Sequence, residues 1–593
     1  GTANATPWPT VNTANHGQNS GWLESITYVD GLGNGIATKA QAEDGKALQI
    51  SGNTLALSSA DVSPRWAVNG RVILNNKGKT WKQFEPYFTD SHTFDNFHLA
   101  DNAADFVKNT TLVYDPVGRP VRTDMPDGTF TKVKFDPWKQ ENWDANDTVL
   151  ASQWYADRNS PNPQGTEPTN KDERAAYLAA KHANTPQVVY FDTLGRAVQT
   201  HDHNLDANGN NEFVITQLKL DIKGNIIQMT DALGIAATQN HYNLLGQPIY
   251  THNVDSGRRF MLINNAGQAY FVWDNLHNQT KHTYDVQNRP LEILLTVNGT
   301  NKVVEKNVYG TDTTKNNRGK IAKQYDQSGK TDFSQYDFNG NVLQTAKTFA
   351  QEYANTIDWT DPLTVPLQGE TFSHSFTYDA QNRPLTKILP DNTVQEFTYN
   401  KAGLLETVKN NNQLYVENIN YNEKGQRIAL YFGNGSKTKY EYDANTFRLT
   451  RLLTTRNTGA DILQDLNYTY DPVGNITEQT DNAQQTFYFS NAVIEPKGQY
   501  TYDALYRLTE AKGRELASLK LPTHEDFPNN IPVPNTAANA MQNYEQQFTY
   551  DELGNILQMK SVGQWTRDYF YNTNDNKLLG HTNGVTEYTY DFP

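Results

Sequence analysis

Residues 376–389 read FTYDAQNRPLTKIL, and this stretch decides the fold. Polar and apolar residues alternate on both sides of a short polar segment, which is the period-two pattern of two β-strands joined by a turn. The same Tyr-Asp or Tyr-Asn turn follows at Tyr399, Tyr421 and Tyr442, at intervals of 21, 22 and 21 residues from Tyr378. A period near 21 residues indicates a chain built by stacking one supersecondary unit.

The turn chemistry explains the motif. Asp or Asn after the tyrosine can accept hydrogen bonds from backbone N–H groups two residues on, and Gly or Asn three residues later tolerates the positive φ of a tight hairpin with a bulge. Backbone roles are therefore predicted for Gly118, Gly195, Gly224, Gly246, Gly340, Gly474 and Gly554. The predicted structural turn motif comprises Tyr114, Asp115, Gly118, Tyr378, Asp379, Tyr470, Asp471, Gly474, Tyr550, Asp551 and Gly554.

The motif tyrosine stands at the end of a strand and returns with every hairpin. We predict that each of these rings stacks beside the tyrosine of the next hairpin, where a cross-strand aromatic contact contributes roughly 0.2–1 kcal/mol. A role in ligand binding is the alternative interpretation of the Tyr-Asp pairs.

Composition favours a single-layer sheet that is wet on both faces. The 593 residues are only 37% hydrophobic and their mean hydropathy is −0.74, which is too polar for one compact globule of this size. The chain nevertheless carries 33 Tyr, 25 Phe and 10 Trp, far more aromatic surface than a disordered chain has. Lateral hydrogen bonding and aromatic contacts would hold such a sheet together.

Several function classes are disfavoured by the same counts. The absence of cysteine excludes disulfides and cysteine-based metal sites. A net charge of −15 argues against a nucleic-acid partner. No apolar run approaches the roughly 18 residues that a membrane-spanning helix requires.

The chain divides into two predicted parts. Residues 1–110 carry few copies of the motif and are expected to be β-rich, whereas residues 111–593 form the repeat array. Insertions are predicted at about 137–187, 346–371 and 513–545, and the first contains the best candidate helix, at residues 172–183. Because another motif opens at Tyr590-Asp591, the array is expected to continue on a further segment or a partner chain, and its last strand to leave an unpaired edge.

The repeats resemble the RHS/YD-repeat proteins of bacterial toxins and the teneurins, over roughly residues 110–593. A narrower resemblance, to the C-terminal half of the B component of insecticidal Tc toxin complexes, rests on short matches. These are RWAVNG at 65–70, NNKGK at 75–79, QFEPYF at 83–88, MPDGTF at 125–130, NDTV at 146–149 with Trp154-Tyr155, and LDIKGN at 220–225.

The resemblance implies an all-β shell of spiralling antiparallel hairpins that enclose a cavity, with short helical insertions. It further implies a secreted or extracellular bacterial toxin component whose C-type RHS partner carries the toxic region and completes the shell. In that family an A-type translocation channel docks on a β-propeller, and no propeller blade pattern is visible in this sequence. The self-cleaving aspartates of the C component are also missing.

The resulting hypothesis is a non-enzymatic encapsulation shell without cofactors, metals, nucleic-acid partners or membrane spans. One alternative is an extracellular adhesion or carbohydrate-binding YD-repeat protein, and another is a polysaccharide-active enzyme. The 66 carboxylates would allow many acid/base pairs, but such a pair needs a separation of about 5–9.5 Å that a sequence does not show. No nucleophile elbow or P-loop is present.

Two sequence patterns bear on metal binding. Asn204, Asp206, Asn208 and Gly209 fit the start of a calcium loop, but Ile215 stands where the closing glutamate would be, so a polar turn is favoured at residues 204–210. The histidines at 201, 203, 241, 252, 277 and 282 lack the i, i+4 helical spacing of a zinc site.

Overall fold

The computed structural model describes residues 24–206, 208–489, 491–516, 541–582 and 587–589. In it 53% of the chain is strand and 6% is helix. The predicted all-β class is confirmed. The motif that opens at Tyr590-Asp591 and most of the predicted insertion at 513–545 lie outside the described residues.

The strands of the described residues are numbered β1 to β45 in chain order. The first group is β1 Ser25–Val29, β2 Gly35–Ala42, β3 Leu48–Ser51, β4 Thr54–Leu57, β5 Arg65–Asn69, β6 Val72–Leu74, β7 Thr80–Phe84, β8 Tyr87–Thr89 and β9 Asn109–Tyr114. The next group is β10 Pro120–Asp124, β11 Phe130–Phe135, β12 Lys139–Trp143, β13 Gln187–Phe191, β14 Ala197–Leu205, β15 Asn211–Leu220, β16 Ile226–Thr230, β17 Thr238–Tyr242, β18 Pro248–Asn253, β19 Gly257–Ile263, β20 Ala269–Trp273, β21 Gln279–Tyr284, β22 Pro290–Val297 and β23 Thr300–Tyr309.

The remaining strands follow the same antiparallel course. They are β24 Ile321–Asp326, β25 Gly329–Tyr336, β26 Val342–Phe349, β27 Phe372–Tyr378, β28 Pro384–Ile388, β29 Val394–Tyr399, β30 Leu405–Asn410, β31 Gln413–Tyr421, β32 Arg427–Phe432, β33 Lys437–Tyr442, β34 Leu449–Arg456, β35 Asp461–Tyr470, β36 Ile476–Asp481, β37 Phe487–Phe489, β38 Ala492–Ile494, β39 Lys497–Tyr502, β40 Leu508–Leu516, β41 Met541–Tyr550, β42 Ile556–Ser561, β43 Trp565–Tyr571, β44 Leu578–Thr582 and β45 Glu587–Thr589.

Helices are few and short in the described part of the chain. The α-helices are α1 Ala103–Phe106, α2 Gln153–Ala156 and α3 Lys171–Ala180. Single 3-10 turns occur at Phe97–Leu99, Val149–Ala151, Thr313–Lys315 and Asn457–Gly459.

A small sheet is formed near the N-terminus, with the strand order β1-β2-β5-β8-β3-β4. Its pairs are antiparallel except for β3 and β8, which meet in parallel at Leu48 and Thr89. One apolar cluster supports it, made of Leu48, Leu55, Val68, Phe84, Tyr87, Phe97, Ala100 and Val107.

A single large sheet contains almost all the other strands. Neighbours in this sheet are neighbours in sequence from β10 to β36 and from β39 to β45, and the order then returns through β6, β7 and β9 to β10. The sheet therefore closes on itself. The expected unpaired edge is not found at the last described strand, because β45 lies beside β6. Strands β6 and β7 belong to the large sheet although they precede residue 110, whereas β37 and β38 form a separate hairpin.

The first insertion occupies the connection between β12 and β13. It contains α3 where the sequence predicts a helix, and the helix begins at Asn170, whose side chain accepts hydrogen bonds from the backbone N–H groups of Asp172 and Glu173. The apolar side of α3, formed by its alanines, packs against Val149 and Trp154 in a buried cluster. The insertion is thus a small folded body attached to the sheet.

The second insertion, residues 350–371, folds back on the sheet. Trp359 is fully buried against Val303 and Tyr325, and its indole Nε1 donates a hydrogen bond of 2.8 Å to the carbonyl oxygen of Asp326. This cluster and those of the small sheet and first insertion make up the apolar cores of the described residues.

Candidate functional site

The turn motif has one recurring geometry, illustrated by the copy at Asp115. Its Oδ1 accepts hydrogen bonds from the backbone N–H of Val117 (3.1 Å) and of Arg119 (2.9 Å), while Gly118 donates from its N–H to the Asp115 carbonyl (3.0 Å). The hydrogen bond from the Arg119 backbone is the main cause that lowers the pKa of Asp115, and the Arg119 guanidinium adds to it. The carboxylate therefore organises the turn in its ionised form.

The other three predicted copies share this pattern. Asp379, Asp471 and Asp551 each accept hydrogen bonds from backbone N–H groups in the four residues that follow them. The φ angles of Gly118, Gly474 and Gly554 are 86°, 111° and 87°, in the region that strains a residue with a Cβ. In the copy at Tyr378, Asn382 occupies the equivalent position with φ of 63°.

The motif tyrosines bind backbone, and they do so across neighbouring hairpins. The Tyr114 hydroxyl donates to the carbonyl of Thr80 (2.7 Å), that of Tyr470 to Leu449 (2.7 Å) and that of Tyr550 to Leu508 (2.7 Å). Tyr399, Tyr421 and Tyr442 make the same contact. Each tyrosine thereby ties its hairpin to the preceding one.

The predicted ladder of stacked motif tyrosines is wrong. Ring contacts in the described residues include none between motif tyrosines of successive hairpins. An arginine of the preceding turn takes that place: the Arg383 guanidinium lies 4.3 Å from the centroid of Tyr399, and that of Arg507 lies 5.0 Å from Tyr550. Tyr399 and Tyr550 thus each donate a hydroxyl hydrogen bond to a carbonyl and accept a cation–π contact on the ring.

A second feature is a set of contacts between residues that are far apart in the sequence. Turns that follow late motif tyrosines contact loops at the opposite ends of early strands, and we call this line of contacts the seam. Its ion pairs include Lys401 with Asp44 (2.7 Å) and Lys424 with Glu85 (2.6 Å). At another point Asn576 donates its backbone N–H to Asp255 Oδ1 (2.7 Å), across 321 residues of sequence.

The first insertion makes the most buried contacts of the seam. Asn146, which is fully buried, donates from Nδ2 to Asp471 Oδ2 (3.0 Å). Arg174 of α3 is 3% exposed and donates from Nη1 to the carbonyl of Thr477 (2.9 Å). The Tyr506 hydroxyl donates to Asp144 Oδ2.

Two late turns hold a bulky residue at positive φ. Tyr506 stands three residues after Asp503, where most copies have Gly or Asn, with φ of 64°. Phe447 stands four residues after Asp443, in a turn that is one residue longer, with φ of 56°. Bulky side chains are rarely held at positive φ, at a cost of order 1–3 kcal/mol. Tyr506 reaches the insertion from this position, and Lys424 lies 4.2 Å from the centroid of the Phe447 ring. Sequence reasoning missed both residues, although the missing Gly in Tyr502-Asp503-Ala504-Leu505-Tyr506 was a visible signal.

Burial perturbs the titration of the groups around Asp144. Desolvation, with the nearby charge of Asp144, raises the pKa of Asp147 to about 6. Burial lowers the pKa of His182 and raises that of Tyr506. The carboxylate oxygens of Asp144 and Asp147 all accept hydrogen bonds, from Asn146, Asp147, Tyr506, Asp144 and Thr185. This arrangement fits a structural role, in which Asp144 and Asp147 hold the first insertion together and against the turn at Tyr506.

The residues of the predicted calcium-loop pattern form a hydrogen-bonded turn. Asp206 Oδ1 accepts the backbone N–H groups of Asn208 and Asn210, both at 2.8 Å, as a turn does. Across the described ranges, no group of three or more His, Asp or Glu side chains is arranged to hold a metal ion. In the same residues no helix has the length and hydropathy to cross a bilayer.

Comparison with known proteins gives consistent relatives. No protein-family model matches the chain. It is 28% identical over 431 residues to toxin subunit YenC2 of Yersinia entomophaga, covering 65% of this chain and 44% of YenC2. It is also 28% identical over 341 residues to toxin subunit YenC1 of the same organism, covering 54% of this chain and 34% of YenC1. The chain thus spans less than half the length of these relatives.

Solved structures cover more of the chain. A crystal structure of TcdB2-TccC3-Cdc42 matches 94% of this chain and 26% of its own, with a TM-score of 0.83 and 26% identity. A structure of the Photorhabdus luminescens Tc holotoxin pore matches with the same coverage, TM-score and identity. The predicted shell fold is confirmed. The chain has the fold of the Tc toxin shell and is similar to Tc toxin subunits, which is consistent with an RHS-repeat protein.

Proposed function

We propose that this chain is a non-enzymatic shell component of a secreted Tc-type toxin, and that it encloses a toxic polypeptide together with a C-type RHS partner before delivery. The observation that carries the proposal is the match of 94% of the chain to a structure that contains TcdB2 and TccC3, at a TM-score of 0.83. We further propose that the Tyr-Asp motif residues are structural and bind no ligand.

The closed sheet supports enclosure. Its strands return on themselves, and the chain is only 37% hydrophobic, so both faces of the sheet can be wet. The apolar clusters of the described residues lie at the small sheet and the two insertions, not between stacked layers of the large sheet. A closed, single-layer wall of this kind suits a container better than a compact catalytic domain.

The proposed partner is suggested by the structural match. This chain corresponds to about 26% of the TcdB2-TccC3-Cdc42 chain that it matches, a structure in which TcdB2 and TccC3 are combined. We therefore propose a C-type RHS protein that carries the toxic region as the partner. Contact with an A-type translocation channel is proposed to run through a β-propeller and not through the strands described here.

Co-expression with a C-type RHS protein tests the proposal. We expect a stable 1:1 complex in which the toxic region resists a protease that digests it when the C-type protein is expressed alone. Separate elution of the two chains, or digestion at the same rate in both samples, would refute the shell function. Release of reducing sugar from a panel of polysaccharides by the purified chain would refute the non-enzymatic part.

A further inference from the structure

One face of strands β13 to β21 is unusually rich in ring side chains. Residues paired directly across antiparallel strands share a face, so the register defines it: Tyr250 pairs with Phe260, and Phe260 pairs with Trp273. We call it the ring-rich face. Its ring residues are Tyr190, His201, His203, Phe213, His241, Tyr250, His252, Phe260, Phe271 and Trp273.

The rings form contacts along the sheet. Centroids lie 5.2 Å apart for His241 and Tyr250 and 4.8 Å apart for Tyr250 and Phe260. Three large apolar side chains of the face stay open to solvent, with exposures of 45% for Phe213, 48% for Phe260 and 52% for Leu262. Exposed apolar side chains that share one face of a sheet mark a candidate interaction surface.

The charges of the ring-rich face have one sign. The cations Lys219, Arg258 and Lys281 lie on it, and its strand positions carry no Asp or Glu within the described residues of β13 to β21. None of these cations forms a salt bridge among the described residues. The chain as a whole has a net charge of −15, so a patch free of carboxylates stands out.

Some cations on other strands of the sheet are paired with carboxylates. Arg122 pairs with Asp124 (2.7 Å), Lys139 with Glu141 (2.8 Å) and Lys330 with Asp332 (2.8 Å). The opposite face of β14 and β15 also carries carboxylates, at Asp202 and Glu212. Unpaired cations on the ring-rich face therefore leave positive charge available to a partner.

Ring orientation indicates what kind of partner fits. His203 and Phe213 are stacked with centroids 4.6 Å apart, and Phe271 and Trp273 with centroids 5.5 Å apart. In each of these two stacked pairs one ring covers a face of the other, so that the uncovered edges, which carry the positive part of the aromatic quadrupole, gain weight in recognition. Edges of this polarity favour carboxylates, whereas sugar rings need open aromatic faces.

We propose that the ring-rich face of β13 to β21 binds an acidic polypeptide that also carries apolar side chains. Its carboxylates would lie against Lys219, Arg258 and Lys281, and its apolar groups against Phe213, Phe260 and Leu262. The proposal stands on the charge and exposure of this face alone. It does not depend on the shell function, so either can fail without the other.

The test measures binding of a random copolymer of glutamate and tyrosine to the full chain. We expect binding that weakens with added salt, because the charges are exposed. Arg258→Glu should weaken it by about fivefold or more, since it replaces an attractive exposed charge by a repulsive one. The matched control is Arg259→Glu. The Arg259 side chain lies on the opposite face of β19, so this substitution should change binding less than about twofold.

The apolar contribution has its own pair of variants. Phe260→Ser should weaken copolymer binding, whereas Tyr415→Ser, which removes a similarly exposed ring on β31, should not. Equal effects of the Arg258 and Arg259 variants, or no copolymer binding, would overturn the proposal. It would also fail if dextran sulfate or phosphatidylglycerol vesicles bound as tightly as the copolymer with the same dependence on Arg258, because the partner would then be a polysaccharide or a membrane.

Discussion

The turns at Asp551 and Asp503 share one motif, and the residue held at positive φ is Gly in the first and Tyr in the second. In both, the carboxylate accepts backbone N–H groups two and four residues on, at 2.8–3.0 Å. The first turn has Gly554 at positive φ, with open space around a would-be Cβ apart from Arg507 at 3.9 Å. The second has Tyr506, whose hydroxyl reaches Asp144, 362 residues away in sequence.

The difference shows that a turn can make a contact with a distant part of the chain and still keep the hydrogen bonds of the motif. A regular turn needs only a residue that tolerates positive φ, whereas a seam turn holds a strained bulky residue because its side chain stabilises the packing of the insertion. At Tyr506 the departure from the motif marks a position that contacts another part of the molecule. Four sets of variants separate regular turns from seam turns.

The largest effect is expected at Arg174. Arg174→Ala removes a buried guanidinium and leaves the Thr477 carbonyl without its donor, which should lower the free energy of unfolding of the insertion by about 3 kcal/mol. Hydrogen exchange of residues 171–180 measures this loss. Arg119→Ala, at a regular turn where the guanidinium is half exposed, should cost at most about 1 kcal/mol. Equal losses would remove the distinction between seam and regular turns.

Asp147 gives the seam a pH dependence. Its pKa is raised from 3.8 to about 6, so the folded state binds the proton more tightly than the unfolded state. Relative to Asp147→Asn, the wild-type chain should therefore lose up to about 3 kcal/mol as pH rises from about 4 to above about 6. Thermal unfolding of both proteins across this range measures the difference.

A regular turn should show the opposite slope. The pKa of Asp115 is lowered in the folded chain, so its contribution is present above the unfolded pKa and is lost as pH falls. Asp115→Asn compared with the wild type should reveal this sign. For Asp147, unfolding free energies of wild type and Asp147→Asn that change in parallel with pH would contradict the raised pKa of this buried carboxyl.

Glycine replacement should cost more at the seam than elsewhere. Gly474→Val places a Cβ 3.1 Å from the Arg448 guanidinium at φ of 111°, and Gly554→Val meets nothing closer than 3.9 Å. We expect losses in unfolding free energy of about 2 and about 1 kcal/mol. Gly554→Asn is the control, since Asn adopts positive φ readily. Unchanged chemical denaturation of both valine variants would refute the turn assignment.

The smallest contrast concerns two hydroxyls. Tyr506→Phe removes a hydrogen bond to a carboxylate and should cost about 1.5–2 kcal/mol, measured by hydrogen exchange in the insertion. Tyr550→Phe removes one to a backbone carbonyl and should cost about 1 kcal/mol, confined to its own hairpins. A loss at the insertion from Tyr550→Phe would show that the turns are not independent.

The fold was predictable because the motif repeats local chemistry. Alternation and turn residues identify strands and hairpins, and the acidic start of residues 172–183 identifies α3. The closure of the sheet was not predictable, because it depends on β45 and β6 meeting across most of the chain. The contact made by the tyrosines was not predictable either, because their recurrence does not show whether the ring or the hydroxyl binds the neighbouring hairpin.

The central claim is that late turns close onto early strand ends to make one continuous wall. Since the chain has no cysteine, Asp255→Cys with Asn576→Cys introduces a unique pair at the seam. A short bis-maleimide should link them within one molecule and give a band of altered mobility that neither single variant gives. Free thiols, or crosslinks only between molecules, would contradict the closed shell.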